Sequence, residues 1–233
     1  MKYFRKLASA LKQYLCGDFL LARDVIHGDK MIKKNYLFSN IDEYNTYIQN
    51  ETNKNFYEII SGIQRLYMDI DIKSDEKDIF DQYIFDLLSH IKTIYSDATT
   101  NVYTSHRPGK LSYHVLITNY YARDNTQCKF YIDSILKDFS SPLKPYIDMH
   151  VYKQNQLLRL LGCSKLNIDN TKVKFIGSDK FEDSLASYTS EPYTLLPYAD
   201  IAYQYPPLMK TIYMLNRTQT NREDEDIGDL TPE

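Results

Sequence analysis

The sequence predicts a mixed α/β domain, and three stretches carry that prediction. Residues 65–72, Arg-Leu-Tyr-Met-Asp-Ile-Asp-Ile, alternate polar with apolar side chains, the period of a half-buried strand. Phe80, Ile84, Leu87, Ile91 and Ile94 then recur at helical spacing behind the candidate caps Ser74 and Asp75, so a helix is predicted to run to about Tyr95. Residues 110–117 alternate again, with Lys110, Ser112 and His114 on one face and Leu111, Tyr113, Val115 and Ile117 on the other. A strand followed at once by a helix that covers it is an α/β arrangement.

The remaining elements follow in order. Phe4, Leu7, Ala8, Leu11 and Leu15 predict a helix over 3–15 with Lys2, Arg5, Lys6 and Lys12 on its outer side. Lys30, Lys33 and Lys34 read as a solvated loop before Tyr36-Leu37-Phe38, or as a basic contact cluster for a nucleic acid. Residues 56–60 read as a short strand and Ser61-Gly62 as a turn; 101–105 form another strand, followed by the turn signal Arg107-Pro108-Gly109. Residues 124–139 predict a second long helix, ended by Pro142 and Pro145, and 171–176 a last strand. Residues 193–215 are ambiguous, and the acidic end is expected to be disordered.

The 233 residues suffice for one large domain or two small lobes. The formal net charge of −3 divides unevenly: six acids face Arg217 and Arg222 in residues 217–233, a balance of −4, which leaves residues 1–216 at +1. We therefore expect a catalytic domain over 1–216 and an acidic tail or linker over 217–233. Cys16, Cys128 and Cys163 are widely spaced and odd in number, which shows neither a disulfide framework nor a zinc spacing and suits a reducing, intracellular setting. No apolar run approaches a membrane span, and the N-terminus lacks a signal-peptide core, so no membrane partner is expected.

The chemistry concentrates in few residues. Asp69 and Asp71 leave the same face of their strand, where two like charges are costly unless a cation compensates them. Two hard oxygen donors of this kind suit magnesium or manganese, although an amphipathic strand with two solvated acids has the same pattern. Lys110, Ser112 and His114 offer a point charge and two donors at two-residue steps, a set able to follow phosphate oxygens. Asp148 can add a third carboxylate. Arg159 lies inside the apolar run Leu157-Leu158-Arg159-Leu160-Leu161, where an unpaired charge is expensive, so a core acid or an anionic ligand is implied; Lys165 follows as a further cation.

Taken together, Tyr67-Met68-Asp69-Ile70-Asp71, then Lys110-Leu111-Ser112-Tyr113-His114, then Ile147-Asp148 with Val151-Tyr152, Asn155, Arg159-Leu160 and Ser164-Lys165, resemble the archaeo-eukaryotic primase superfamily. The likeness is to its primase-polymerase branch and to the primase part of poxvirus-like primase–helicases, and it covers roughly residues 56–165. The resemblance implies a two-lobed fold with a mixed sheet of RNA-recognition-motif type carrying the acids. It further implies that Asp69, Asp71 and Asp148 hold two Mg2+ or Mn2+ ions and that Lys110, Ser112, His114, Arg159 and Lys165 hold a nucleoside triphosphate, NTP or dNTP. Primer synthesis on a single-stranded DNA template is the implied activity, at a viral replication site in the host cytoplasm. No Gly-x-x-x-x-Gly-Lys-Ser/Thr loop and no zinc-ligand set is present, so a helicase partner is expected in an attached or associated region. Asp71-Ile72-Lys73 also spells a fragment found in metal-dependent nucleases, which leaves the Ser-x-His strand unexplained. A non-catalytic DNA-binding scaffold of the same fold is the other alternative.

Overall fold

The computed structural model describes residues 1–14, 18–189, 194–197 and 227–228. It is a mixed α+β structure of two sheets and four helices. The chain runs β1 (Lys2–Phe4), α1 (Leu7–Gln13), β2 (Phe19–His27), β3 (Lys30–Phe38), α2 (Ile41–Gln49), β4 (Phe56–Ile60), β5 (Gln64–Ile72), α3 (Lys77–Ile94), β6 (Thr100–Thr104), β7 (Leu111–Ala122) and α4 (Asn125–Lys137). Short strands β8 (Gln156–Arg159), β9 (Val173–Ile176), β10 (Thr194–Leu195) and β11 (Ile227–Gly228) complete it.

The first sheet, in the order β11-β1-β3-β2-β4-β8, is antiparallel throughout. The second runs β5-β7-β6-β9, also antiparallel, while β10 adds one parallel pair to the far end of β7. Leu66, Met68, Ile70 and Ile72 of β5 bury themselves against Ile84, Leu87 and Ile91 of α3 and Ile132 and Ile135 of α4, in the largest apolar cluster among the described residues. On the first sheet α2 covers one face, through Tyr44 packed on Phe38 and Phe56, and α1 covers the other, through Ala10 against Leu20, Ala22 and Leu37.

The long helices form as their periodicity predicts, with small shifts at the ends. Asp124 caps α4 by accepting the Gln127 N–H at 2.8 Å. At α3 the N-cap position falls on Glu76 instead of Ser74 or Asp75, and Ser74 Oγ holds the Glu76 N–H at 3.0 Å. Two expectations are corrected. The predicted helix over 3–15 starts only at Leu7, because residues 2–4 pair with β3; Leu15 lies outside the described residues. The stretch carrying Lys30, Lys33 and Lys34 is not a loop. It is one arm of a hairpin paired residue for residue from Phe19↔Phe38 to His27↔Lys30, closed by Gly28-Asp29 with Gly28 at φ 59°. Most of residues 193–233, including all six tail acids, lies outside the described residues.

Segment 182–188 ties the sheets together. Arg65, expected on a solvated face, is 1% exposed: Nη1 donates to the Glu182 and Leu185 carbonyls at 2.8 and 2.9 Å, and Nε to Tyr121 Oη at 3.1 Å. Glu58 of β4, fully buried, accepts from Ala186 N, Ser187 N and Ser187 Oγ at 3.0, 2.9 and 2.8 Å. One strand of each sheet thus holds the same segment through a buried charge, each charge bonded to polar groups as its burial demands. Replacing Arg65 by Met should cost roughly 3 kcal/mol, since it strands two buried carbonyls. Urea denaturation checks the magnitude, and hydrogen exchange should show amides 184–188 losing protection before those of β5.

Candidate functional site

The pairing of β5 with β7 builds the first wall of the site. Its register sets Asp69 opposite His114 and Asp71 opposite Ser112, so the two acids and the Ser-x-His pair share one sheet face while their apolar neighbours fill the core behind. Lys110 enters from the turn before β7. Arg107 and Lys110 exchange backbone hydrogen bonds of 3.0 and 2.9 Å around Gly109, which adopts φ 73°, and Lys110 Nζ reaches Asp71 Oδ2 at 2.7 Å. His106 Nδ1 accepts the Ser112 N–H at 3.0 Å and fixes the start of that strand.

Asp148 arrives from 76 residues further on than Ile72 and is carried by backbone pairing. Its N–H donates to the Asp69 carbonyl at 2.8 Å beside an Ile70↔Ile147 bridge. Two tyrosines lock the connection: Tyr67 Oη donates to the Val151 carbonyl at 2.8 Å, and Tyr152 Oη to the Tyr67 carbonyl at 2.6 Å. Tyr67, expected to face water with the acids, is therefore buried and structural. The Asp148 carboxylate caps the 149–151 turn, accepting from His150 N at 2.8 Å.

The second wall comes from the other sheet. Arg159 in β8 pairs opposite Tyr57 in β4, and Nη1 donates to the Asn170 carbonyl at 2.7 Å. Among the described residues no carboxylate lies within 4.0 Å of the charged nitrogens of Arg159 or Lys165. The core acid that Arg159 called for is absent from that range, and a neutral carbonyl takes its place. Between the walls lies a cavity of about 410 Å³ lined by Asp69, Asp71, Lys110, Ser112, His114, Arg159 and Lys165. Seven of the eight predicted site residues thus meet there, and Asp148 stands beside Asp69 without lining it. A larger hollow of about 560 Å³ past the end of α4 gathers one acid, Asp138, with Lys137 and Lys144, and no comparable convergence of groups.

No family model matches the chain. It is 24% identical over 174 residues to the "Putative helicase/primase complex protein" of African swine fever virus (isolate Pig/Kenya/KEN-50/1950), across 62% of this chain. The match spans 16% of that relative's length. The likeness is distant, and it supports a relationship to a viral primase-like protein.

The electrostatics divide the cavity into an anionic edge and a cationic wall. Burial, then the nearby Asp71 and Asp148, raise the Asp69 carboxyl to about 7. Burial, then Lys172, Arg159, Lys165 and Lys110, push the His114 imidazole well below its ordinary value, so it stays neutral. Burial also lowers Arg159 and Lys165, the latter further depressed by Arg159 and Lys110. Lys172 completes the wall from behind: it is 1% exposed, its Nζ donates to the Arg159 carbonyl at 2.7 Å, and burial lowers it to about 8. Nothing in the sequence distinguishes Lys172 from Lys174, because a lysine within a short strand is ordinarily solvated. Ser105 and Arg107 of the first wall, and Asp24 and Tyr57 of the second, are further lining residues that sequence patterning did not single out.

The donor set fits a hard divalent ion used together with a phosphate ligand. Asp69 Oδ1, Ser105 Oγ, His114 Nδ1 and Arg159 Nε are buried and lack hydrogen-bond partners, four unmet polar groups on residues that line one cavity. His114 Nε2 lies 3.4 Å from Asp69 Oδ1. Among the described residues no three or more His, Cys, Asp or Glu side chains stand close enough together to hold a metal ion between them. An open edge of one or two carboxylates is how Mg2+ is held when substrate phosphates complete its shell.

Because the folded state keeps a proton on Asp69 up to about pH 7 while an unfolded chain releases it near 4, this group stabilises the fold at low pH and the contribution is lost as pH rises through 7. Asp69→Asn should therefore flatten the fall in stability between pH 5 and pH 8, an effect on the order of a few kcal/mol. Thermal unfolding of both forms in metal-free buffer checks this, and millimolar Mg2+ or Mn2+ should raise the pH 8 midpoint of the parent and not of the variant.

Proposed function

We propose that the chain catalyses template-directed nucleotidyl transfer, making primers on single-stranded DNA during viral DNA replication. The observation that carries this reading is the opposition, across one cavity, of an acidic edge and the cations Arg159 and Lys165, which have no carboxylate partner among the described residues. The distant likeness to a viral protein named for a helicase/primase complex supports it. By the same name, a helicase is the expected companion, in the same polypeptide or as a separate protein.

In this reading Asp69, Asp71 and Asp148 hold two Mg2+ or Mn2+ ions, which when bound supply an activated attacking 3′-hydroxyl and neutralise charge on the phosphoryl group. The chain's own residues do the rest. Arg159 and Lys165, unpaired with any described carboxylate, bind the triphosphate, and the free Arg159 Nε offers a donor in its fixed fork geometry. Lys110, held by Asp71 between the two walls, meets the phosphate nearest the acids. Ser112 and neutral His114 add donors without further charge. Fixed donors of this kind align the in-line attack and favour departure of pyrophosphate. Deep burial of Lys172 keeps the cationic wall in place without exposing another side chain to the substrate.

The test is synthesis on a single-stranded template with labelled nucleotides and Mg2+ or Mn2+, products resolved by length. Short new chains should form, and Asp69→Ala/Asp71→Ala should lower the rate at least about 100-fold. Lys165→Ala, at an exposed position, should raise the nucleotide KM about tenfold with a smaller change in kcat. Absence of synthesis together with absence of nucleotide and metal binding would overturn the reading.

A further inference from the structure

The β2–β3 hairpin presents two large apolar side chains that its own fold leaves uncovered. Ile26 and Met31 are 62% and 66% exposed, the two highest exposures among the large hydrophobic residues of the described chain. They are direct cross-strand partners, so they form one contiguous patch. Alternation along the strands puts this patch on the same face as Asp24 and Lys33, which pair with each other two register positions further in. The inner part of that face is covered by α1 through Leu20, Ala22 and Leu37; the outer part is covered by nothing within the described residues.

Position gives the patch its meaning. Met31, Lys33 and Asp24 line the cavity that holds Asp69 and Arg159, so the hairpin continues the second wall outward from the mouth. Five cations, Lys33, Arg107, Lys110, Arg159 and Lys165, line that cavity against three acids, Asp24, Asp69 and Asp71, and His114 is neutral. The mouth is thus net positive, and its rim carries an aliphatic surface. A protein partner would meet a rim of like-signed charge around a small patch. A nucleic-acid strand satisfies both features: its phosphates take Lys33 and Arg107, the cations of the mouth not assigned to the triphosphate, and the face of a base takes the aliphatic pair, as Ile and Met wedges do between the base steps of a duplex.

We propose that the tip of the β2–β3 hairpin, through Ile26 and Met31, docks the single-stranded template so that its unpaired base is presented at the cavity mouth. This deepens the nucleotidyl-transfer reading and rests on it. The register also divides the lysines: Lys33 faces the cavity, whereas Lys34 points to the opposite face, over the Tyr3 ring at 5.1 Å, and Lys2 bonds Gln13 Oε1 at 3.2 Å. Lys33 and Lys34 therefore cannot both belong to one contact cluster for a nucleic acid.

The test compares the parent with Ile26→Ser, an exposed position outside the cavity lining whose replacement leaves the core intact. Fluorescence anisotropy with a labelled oligodeoxynucleotide gives template affinity over a salt series, and calorimetry with Mg2+ and a nucleoside triphosphate gives nucleotide affinity. The variant should bind the oligonucleotide about tenfold more weakly, at the lower end of what one base contact contributes, with the salt slope and the nucleotide affinity unchanged. Parent and variant binding DNA equally would overturn the docking role while leaving the nucleotide site standing. A changed oligomeric state with equal DNA binding would assign the patch to contact between copies and overturn the proposal as well. If the parent itself binds neither DNA nor nucleotide, the underlying functional reading falls with it.

Discussion

The antiparallel register between β5 and β7 is the constraint on which the site depends. It puts Asp69 against His114 and Asp71 against Ser112 in a single step, because cross-strand partners share a face. A slip of β5 by one residue would send Asp69 and Asp71 into the core and bring Met68, Ile70 and Ile72 to the cavity. The register is held from behind, where Met68, Ile70, Val115 and Ile117 are at most 1% exposed beneath α3 and α4. Packing on one face thus guarantees the chemistry of the other. The tyrosine exchange between Tyr67 and Tyr152 extends the same constraint to Asp148, since the chain bearing the third acid is bonded to the strand bearing the first two.

The charge arrangement follows from that frame at a cost in local stability. Like charges crowd on each side of the cavity, and the buried atoms Asp69 Oδ1, His114 Nδ1 and Arg159 Nε have no hydrogen-bond partners. A fold selected for stability alone would satisfy them or replace them with apolar groups. In the proposed reading the partners they lack are ligands, a cation for the acids and an anion for the cations. Segment 182–188 serves this arrangement at a distance. Held by Glu58 from one sheet and Arg65 from the other, it fixes the separation of the two walls through groups that never touch the cavity.

The alternation of residues 65–72 and 110–117 determined the two site strands, their buried faces and the pairing of the acids on one side, because period-two patterning is a local property of the chain. The helical spacing of Phe80, Ile84, Leu87 and Ile91 likewise determined α3. The order of the three motifs was enough to name seven residues that meet in one cavity and an eighth beside it. Sheet membership, by contrast, was decided by tertiary structure: residues 2–4 become a strand and 30–38 a hairpin arm because backbone partners elsewhere in the chain complete their hydrogen bonds. Tertiary structure alone also separated Arg65 and Tyr67 from Asp69 and Asp71, four residues of one alternating face with opposite exposures, according to what packs above each. The burial of Lys172 behind Arg159, and the facing of the Arg159 wall toward the acids, depend on contacts between two sheets. No local spacing encodes such contacts, since the field at a side chain is the sum over neighbours that only the folded chain assembles.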